Sequence, residues 1–233
     1  SPFVLQIKLL FQVLWKLSLT WDDPLPEDFQ NEWDVLKTQI PYLEAIKIPR
    51  RMTMDGEVIR QFLAIFCDAS EKAYGSSVYL VTCYDHGGSS AHLCFAKARV
   101  APIKFGGKKL TEEYSIVRLE LLGMLLGSRI GNYVKEGLEA NLGHIDMFFF
   151  SDSMINLQRL QKGYGAYKQW VGSRLKEITE NTKIENWSHV ETHLNSADIA
   201  SRGTAYVSEL IKANLWWHGP EYLRLEKTEW PNK

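Results

Sequence analysis

The order of strand-like and helix-like segments constrains the fold of this chain more than any other feature of its sequence. Three β-rich runs come first, a long Leu-rich helical segment follows, and further strands then alternate with shorter helices. The run HIDMFFFS is nearly continuously apolar, which is typical of a strand buried on both faces of a sheet. This order predicts an α/β fold, a mixed sheet with helices packed on it. The predicted strands lie near residues 60–68, 74–84, 91–99, 144–151 and 184–190, and the predicted helices lie near 112–136, from 152 or 153, over 167–180 and from 196.

A helical unit is predicted ahead of the sheet. Residues 2–17 can form one apolar helix that is interrupted by only two lysines. In the next segment, apolar residues recur every three or four positions from Phe29 to Ile40, which gives a helix with one apolar face. An acidic pair before two prolines marks its start, and Pro41 marks its end. We therefore expect a small helical unit over residues 1–55.

The composition favours a globular protein from a reducing, intracellular setting. The chain has 233 residues, 45% of them hydrophobic, and a formal net charge of -1, so nucleic-acid binding would depend on local basic patches. The three cysteines are odd in number and lack CxxC spacing, which argues against a disulfide framework or a zinc site. No apolar run is long enough to span a membrane, and no signal peptide is recognisable. Because the chain lacks an initiator methionine, we expect it to be a fragment of a larger polypeptide.

Four carboxylates lie at similar points of this layout. Asp68 ends the first strand, Asp152 follows the run FFFS, and Asp198 comes just after the last strand. Glu120 lies in the long helix, surrounded by leucines. Ligands bind beyond the carboxyl ends of parallel strands. Asp68 and Asp152 would therefore meet if the first and fourth strands are adjacent and parallel, and the other two acids can reach the same place.

These acids admit two interpretations. Singly, Asp68, Asp152 and Asp198 could cap turns or helices, and Glu120 could face solvent. Together, carboxylates cannot all be ionised side by side without cations, and hard oxygen ligands suit Mg²⁺ or Mn²⁺. Two such ions, about 3.5–4 Å apart, can activate a water and stabilise the leaving oxygen of a phosphodiester. The combination in this element order favours the metal site.

The segments that carry the acids resemble a known family. DASEKAYG, SIVRLELLG, FFFSDS and NSADIASRG are similar to the four motifs of a retroelement ribonuclease H domain, in the family's order from about residue 60 to 203. FAKARVAPIK, RLELLG, ADIASRG and LWWHGPEYL further resemble BEL/Pao-type LTR retrotransposon polyproteins. LLFQVLWKLSLTWDDPLP is similar to the stretch that links reverse transcriptase to ribonuclease H in that group.

The resemblance implies a ribonuclease H-like fold with a five-stranded mixed sheet, three strands antiparallel and two parallel. It implies metal-dependent cleavage of the RNA strand of RNA–DNA hybrids, with two Mg²⁺ or Mn²⁺ ions per site. It also implies a reverse transcriptase part of the same polyprotein as partner, and an intracellular location in a retroelement particle. The implied catalytic residues and metal ligands are Asp68, Glu120, Asp152 and Asp198.

One departure from the family concerns a histidine. Many ribonucleases H carry a histidine for product release on a longer loop before the last Asp. Here His193 lies only five residues before Asp198, in the compact segment ETHLNSAD. His193 is therefore a candidate for product release or an ordinary surface histidine.

Two basic segments are candidates for substrate binding. KARVAPIKFGGKK has five cations and no acid, and Arg118 lies beside Glu120. RLQKGYGAYKQW mixes cations with aromatic residues and could contact the hybrid's backbone and sugars. The alternatives are a solvated loop for the first segment and core packing of Tyr167 and Trp170 in the second. The candidate substrate-binding residues are Lys97, Arg99, Lys104, Lys108, Lys109, Arg118, Lys162 and Lys168.

The sequence thus predicts three parts and leaves competing functions open. A helical connection covers 1–55, a ribonuclease H-like domain covers 56–205, and a C-terminal extension toward an integrase segment covers 206–233. The alternatives to a ribonuclease H are a non-catalytic connection or scaffold, a domesticated remnant, or another nuclease such as an integrase core. Polymerase activity is not expected, because the sequence contains no Tyr-x-Asp-Asp motif.

Overall fold

Five strands form one mixed sheet in the order β3-β2-β1-β4-β5. The computed structural model describes residues 1–17, 19–102 and 115–230. β1 pairs antiparallel with β2, and β2 pairs antiparallel with β3, while β1–β4 and β4–β5 are parallel. The predicted five-stranded mixed sheet is confirmed. Its strands are β1 (Val58–Ala69), β2 (Ala73–Tyr84), β3 (Ser89–Val100), β4 (Asp146–Ser151) and β5 (Trp187–His189).

Eight α-helices accompany the sheet in the described part of the chain. Two precede it, one connects β3 to β4, two connect β4 to β5, and three follow β5. They are α1 (Pro2–Lys16), α2 (Glu27–Gln39), α3 (Ile116–Leu142), α4 (Met154–Lys162), α5 (Gln169–Asn181), α6 (Ala197–Arg202), α7 (Val207–Lys212) and α8 (Asn214–His218). None of these helices combines the length and the apolarity that crossing a bilayer requires.

Some element bounds differ from the sequence prediction. The expected strand 184–190 is reduced to β5, because a 3-10 turn at Ile184–Asn186 precedes it. The long helix α3 continues to Leu142 and ends at Gly143, whose φ of 74° is a conformation that glycine adopts readily. The helix α2 ends at Gln39, just before Pro41 as predicted, and a 3-10 turn at Ile40–Ala45 follows it.

The central strand β1 alternates its side chains between two apolar cores. Leu63 and Ile65 face the core that contains α3 and α5. Phe62 and Phe66 face the second core, with Phe150 from β4 and residues that follow β5. Full burial on both faces explains why this strand is nearly continuously apolar up to Asp68.

The N-terminal helices pack against the C-terminal part of the chain. Phe3 and Leu10 of α1, Leu36 of α2 and Val207 of α7 form one small core. The Val207 backbone N–H also donates to Gln39 Oε1, at 3.2 Å. Residues on both sides of the predicted boundaries at 55/56 and 205/206 are therefore in contact, and the division into three parts stays a prediction.

Candidate metal centre

Asp68 is a buried carboxylate near the end of the central strand. It pairs in register with Gly75 of β2, and its side chain is only 5% exposed. Ser201 Oγ donates a hydrogen bond to Asp68 Oδ2. Burial raises the pKa of Asp68 to about 7, and the charges of Asp152 and Asp198 add to this, although the Ser201 hydrogen bond opposes it. Asp68 thus lies inside the strand, in a place where its charge is costly without a cation.

Asp152 lies at the same edge of the sheet as Asp68. The last paired residues of the parallel strands β1 and β4 are Cys67 and Ser151, so the next residue on each strand is an aspartate. Neighbouring strands are about 4.8 Å apart. Thr192 Oγ1 donates to Asp152 Oδ2 at 2.9 Å. Ser153 rather than Asp152 occupies the N-cap position of α4, so Asp152 does not cap this helix.

Glu120 reaches the same area from the second turn of α3. This helix approaches β1 closely at Gly123, where an added Cβ would lie 2.7 Å from the Asp68 carbonyl oxygen. Ser153 Oγ donates to Glu120 Oε2, and Asn156 Nδ2 lies 3.3 Å from the same oxygen. Burial, with the charge of Asp152, raises the pKa of Glu120, against the effect of the Ser153 hydrogen bond. Glu120 is half-buried. The alternative interpretation, in which it faces open solvent, does not describe this position.

Asp198 lies in the first turn of α6 and is bound to an arginine. Its Oδ1 accepts a hydrogen bond from Arg202 Nε at 2.5 Å, one helical turn further on. The hydrogen bond to Asp198 raises the pKa of Arg202, and the charges of Asp68 and Asp152 act in the same direction. A guanidinium group therefore lies within electrostatic reach of three of the four acids.

Small polar residues that the sequence analysis did not single out hold these acids in place. Asn195 is fully buried, and its Nδ2 donates to the Cys67 carbonyl at 3.0 Å and lies 3.4 Å from Asp152 Oδ1. Its Oδ1 accepts from Ala197 N at the start of α6. One side chain thus connects β1, Asp152 and the helix that carries Asp198. The only sequence signal was the density of small polar residues in NSADIAS.

A second buried pair connects α6 to the sheet. Ser196 and Ser77 are both fully buried, and their hydroxyl oxygens are 2.9 Å apart. The helix also comes close to β2 at Gly75, where an added Cβ would lie 2.9 Å from Ala200 Cβ. Both contacts fix the position of α6 relative to Asp68.

The donor set fits a hard divalent cation, but its present arrangement is not a closed ligand shell. Carboxylate oxygens are the ligands that Mg²⁺ and Mn²⁺ prefer, and Asp68, Asp152 and Asp198 are near enough to influence one another electrostatically. Among the described residues, however, no three His, Cys, Asp or Glu side chains converge tightly enough to hold a metal ion. Each of the four carboxylates accepts a hydrogen bond from a protein donor instead. The assignment of the four acids as metal ligands stays a prediction.

The candidate substrate-binding residues are dispersed around this edge. Lys97 and Arg99 are exposed on β3, and Lys162 and Lys168 are exposed at the ends of the α4–α5 connection. The Arg118 guanidinium lies 4.9 Å from the centre of the Trp170 ring. Three further candidates, Lys104, Lys108 and Lys109, lie outside the described residues.

The aromatic residues of the second basic segment pack against the core, which is the alternative named for this segment. Tyr167 and Trp170 are partly buried against the core that contains α3 and α5. The Arg159 guanidinium lies 5.8 Å from the centre of the Tyr167 ring. These aromatic rings thus contact nearby guanidinium groups and pack on the core instead of being available to stack on nucleic-acid bases.

His193 is exposed in a 3-10 turn at Thr192–Leu194. Its Nδ1 lies 3.3 Å from Glu191 Oε2. This neighbour comes from its own turn, and a role of His193 in product release stays a prediction.

Comparison with known proteins adds a family match. A family model described as "Pao retrotransposon-like RNaseH-like domain" matches residues 1–153. The match includes three of the four acids, Asp68, Glu120 and Asp152, and it also includes α1 and α2. No curated protein matches the chain significantly.

Solved structures that align with this one include ribonucleases H. RNase H1 from the archaeon Halobacterium salinarum NRC-1 is 12% identical, with 59% of this chain and 90% of that chain covered and a TM-score of 0.33. LC11-RNase H1 in complex with RNA/DNA hybrid is 9% identical, with 65% and 99% covered and a TM-score of 0.36. Prototype Foamy Virus protease-reverse transcriptase is 9% identical, with 80% and 23% covered and a TM-score of 0.34. Similarities this low carry no conclusion about activity.

Proposed function

Because this chain belongs to the Pao retrotransposon-like RNaseH-like family, we propose that it is a metal-dependent endonuclease that cleaves the RNA strand of RNA–DNA hybrids. The reaction is hydrolysis of a phosphodiester with two divalent ions, during reverse transcription of a retrotransposon. The observation that carries the proposal is the buried Asp68 beside Asp152 on adjacent parallel strands. Two neighbouring acids repel each other when both are ionised and add no stability to the fold there, which supports a functional reason for their presence.

Each part of the site has a task that its geometry suits. Asp68 and Asp152 present carboxylates from the sheet edge, Glu120 adds one from α3, and Asp198 adds one from α6. Two bound Mg²⁺ or Mn²⁺ ions would supply an activated water and stabilisation of the leaving 3′ oxygen. Ser201 and Asn195 hold the acids against the sheet, which keeps the site ordered before substrate binds.

A non-catalytic scaffold is the second candidate, and two observations favour it. Arg202 is bound to Asp198, and no three acids converge among the described residues. In a scaffold, the Arg202 guanidinium would permanently occupy the place of a metal ion beside Asp198. In an enzyme, Asp198 would give up this ion pair in exchange and would be one of the residues that hold a metal ion. Exposed ion pairs contribute only about 0–1 kcal/mol, so the exchange has a small cost.

A cleavage assay on duplexes of matched sequence separates the two candidates. Each strand of an RNA–DNA hybrid, an RNA duplex and a DNA duplex is labelled in turn and incubated with Mg²⁺, Mn²⁺ or EDTA. The proposal predicts cleavage of the RNA strand of the hybrid only, and only with a divalent ion. Failure to cleave any duplex while hybrid binding persists would favour the scaffold, and cleavage of DNA would indicate another nuclease. The reverse transcriptase partner and the intracellular location stay predictions.

A further inference from the structure

A groove between α1 and the edge strand β3 is lined by cations. It has a volume of about 260 Å³, and Lys8 from α1 and Lys97 and Arg99 from β3 line it. All three side chains belong to exposed residues. No acidic residue lines the groove, and none of the ion pairs found within the described residues involves these three cations. The groove is thus a local positive patch on a chain whose formal net charge is -1.

The register of the sheet places this groove beside the candidate metal centre. Asp68 of β1 pairs with Gly75 of β2, and Gly75 pairs with Ala98 of β3. Ala98 is therefore in the same row as Asp68, two strand spacings or about 9.6 Å away. Lys97 and Arg99 flank Ala98. Lys97 and Arg99 therefore lie at the same end of the strands as the acids, but their side chains leave the sheet on the face opposite to that of Ala98 and Asp68.

Two hydrogen bonds fix α1 and hence Lys8 at this edge. Gln12 Nε2 donates to the Ala101 carbonyl just after β3, at 2.6 Å. Gln6 Nε2 donates to the Arg202 carbonyl at the end of α6, at 2.8 Å. Lys8 lies one turn before Gln12 on the same face of the helix. The first helix is thus held between the end of β3 and the helix that carries Asp198.

We propose that this groove binds the phosphate backbone of the nucleic acid that enters the metal centre, so that α1 is part of the nucleic-acid interface. Phosphate contacts by Lys and Arg position a duplex without reading its sequence. Exposed cations that form no ion pair with the described residues suit this task on a nearly neutral protein, because they attract phosphates only where the substrate has to lie. The proposal takes its ligand class from the proposed function. It can be tested by binding alone.

Salt-dependent binding of an RNA–DNA hybrid in EDTA tests the groove without requiring cleavage. The variants are Lys8→Gln and the triple variant with Lys97→Gln and Arg99→Gln, measured by fluorescence anisotropy from about 50 to 200 mM salt. Each lost phosphate contact reduces the magnitude of the negative slope of log K against log salt by about 0.9. In the triple variant this magnitude should therefore fall by up to about 2.7. Lys183→Gln, an exposed lysine shortly before β5 at the opposite end of the strands, serves as the matched control and should bind like wild type.

Several outcomes would contradict phosphate binding in the groove. They are an unchanged slope in Lys8→Gln and the triple variant, an equal loss in Lys183→Gln, and a wild-type chain that binds no hybrid. A loss that depends on the hybrid's sequence would also contradict backbone binding. Circular dichroism melting verifies that the variants fold, since exposed substitutions change stability within about 0.5 kcal/mol. A chain that binds with the predicted slopes but does not cleave would contradict the proposed function and leave the groove supported.

Discussion

The four acids of the candidate centre fall into two pairs that are held in different ways. The strand acids, Asp68 and Asp152, end adjacent parallel strands, and the backbone register sets their separation. The helix acids, Glu120 and Asp198, depend on how α3 and α6 approach the sheet, and on side-chain partners. The strand half of the candidate site is therefore fixed by the register of the sheet. The helix half depends in addition on side-chain partners, Ser153 for Glu120 and Arg202 for Asp198.

The two pairs also differ in burial and in their charged neighbours. Asp68 is almost fully buried, and its pKa is raised to about 7. Asp198 is partly exposed and already has a positive partner in Arg202. A cation therefore relieves a cost at Asp68 but competes with a guanidinium at Asp198. We expect the strand acids to dominate metal binding.

The largest expected effect is the loss of cleavage when a strand acid loses its charge. Asp68→Asn or Asp152→Asn should reduce hybrid cleavage roughly 10³-fold, since the stabilisation supplied through the metals is worth several kcal/mol. Asp198→Asn should cost less. Asp146→Asn is the matched control, because Asp146 begins β4 at the opposite end of the strand. Equal losses in Asp68→Asn and Asp198→Asn would remove the distinction between the pairs, and an active Asp68→Asn would refute the site.

A second prediction concerns the side chain that connects both halves. Asn195→Ala leaves the buried Cys67 carbonyl without its donor and removes the acceptor of Ala197 N. An unsatisfied buried group costs about 1–3 kcal/mol, so the free energy of unfolding in urea should fall by that amount. Asn141→Ala, at an exposed position in α3, should change it by less than about 0.5 kcal/mol. Equal stability of the two variants would show that Asn195 does not hold the site.

The third prediction uses the raised pKa of Asp68. Its folded value of about 7 lies above the ordinary value of 3.8, so folding favours the protonated form. Stability should therefore fall as the pH rises from about 4 to about 7, and stay low above that. In EDTA at pH 8, Asp68→Asn should melt several degrees above wild type, and at pH 4 the difference should vanish. A variant that melts below wild type at pH 8 would contradict the cost assigned to this charge.

The smallest expected effect concerns the ion pair in the helix half. Arg202→Gln frees Asp198, so half-maximal cleavage should need a few-fold less Mg²⁺, while stability changes by less than about 1 kcal/mol. Arg129→Gln is the control, because Arg129 forms a two-bond ion pair with Glu177 on the helices α3 and α5. A higher Mg²⁺ requirement in Arg202→Gln would mean that Arg202 positions Asp198 instead of competing for it.

The sequence predicted the strand half of the site better than the helix half, for a physical reason. The apolar runs ending in Asp68 and Asp152 are local signals, and the strand order that makes them neighbours follows from general connection rules. The partner of Asp68, Ser201, lies 133 residues away, and the partner carbonyl of Asn195 lies 128 residues away. Contacts between such distant small polar residues leave no periodic pattern. The place of α1 beside β3 was missed for the same reason.

Titration calorimetry measures whether the four acids bind divalent cations. Mg²⁺ or Mn²⁺ is titrated into the wild-type chain, Asp68→Asn and the control Asp146→Asn, each dialysed free of metal at pH 8. The proposed metal site predicts saturable binding to wild type and to Asp146→Asn, and loss of that binding in Asp68→Asn. Binding that is unchanged by Asp68→Asn, or no binding to the wild-type chain, would contradict it.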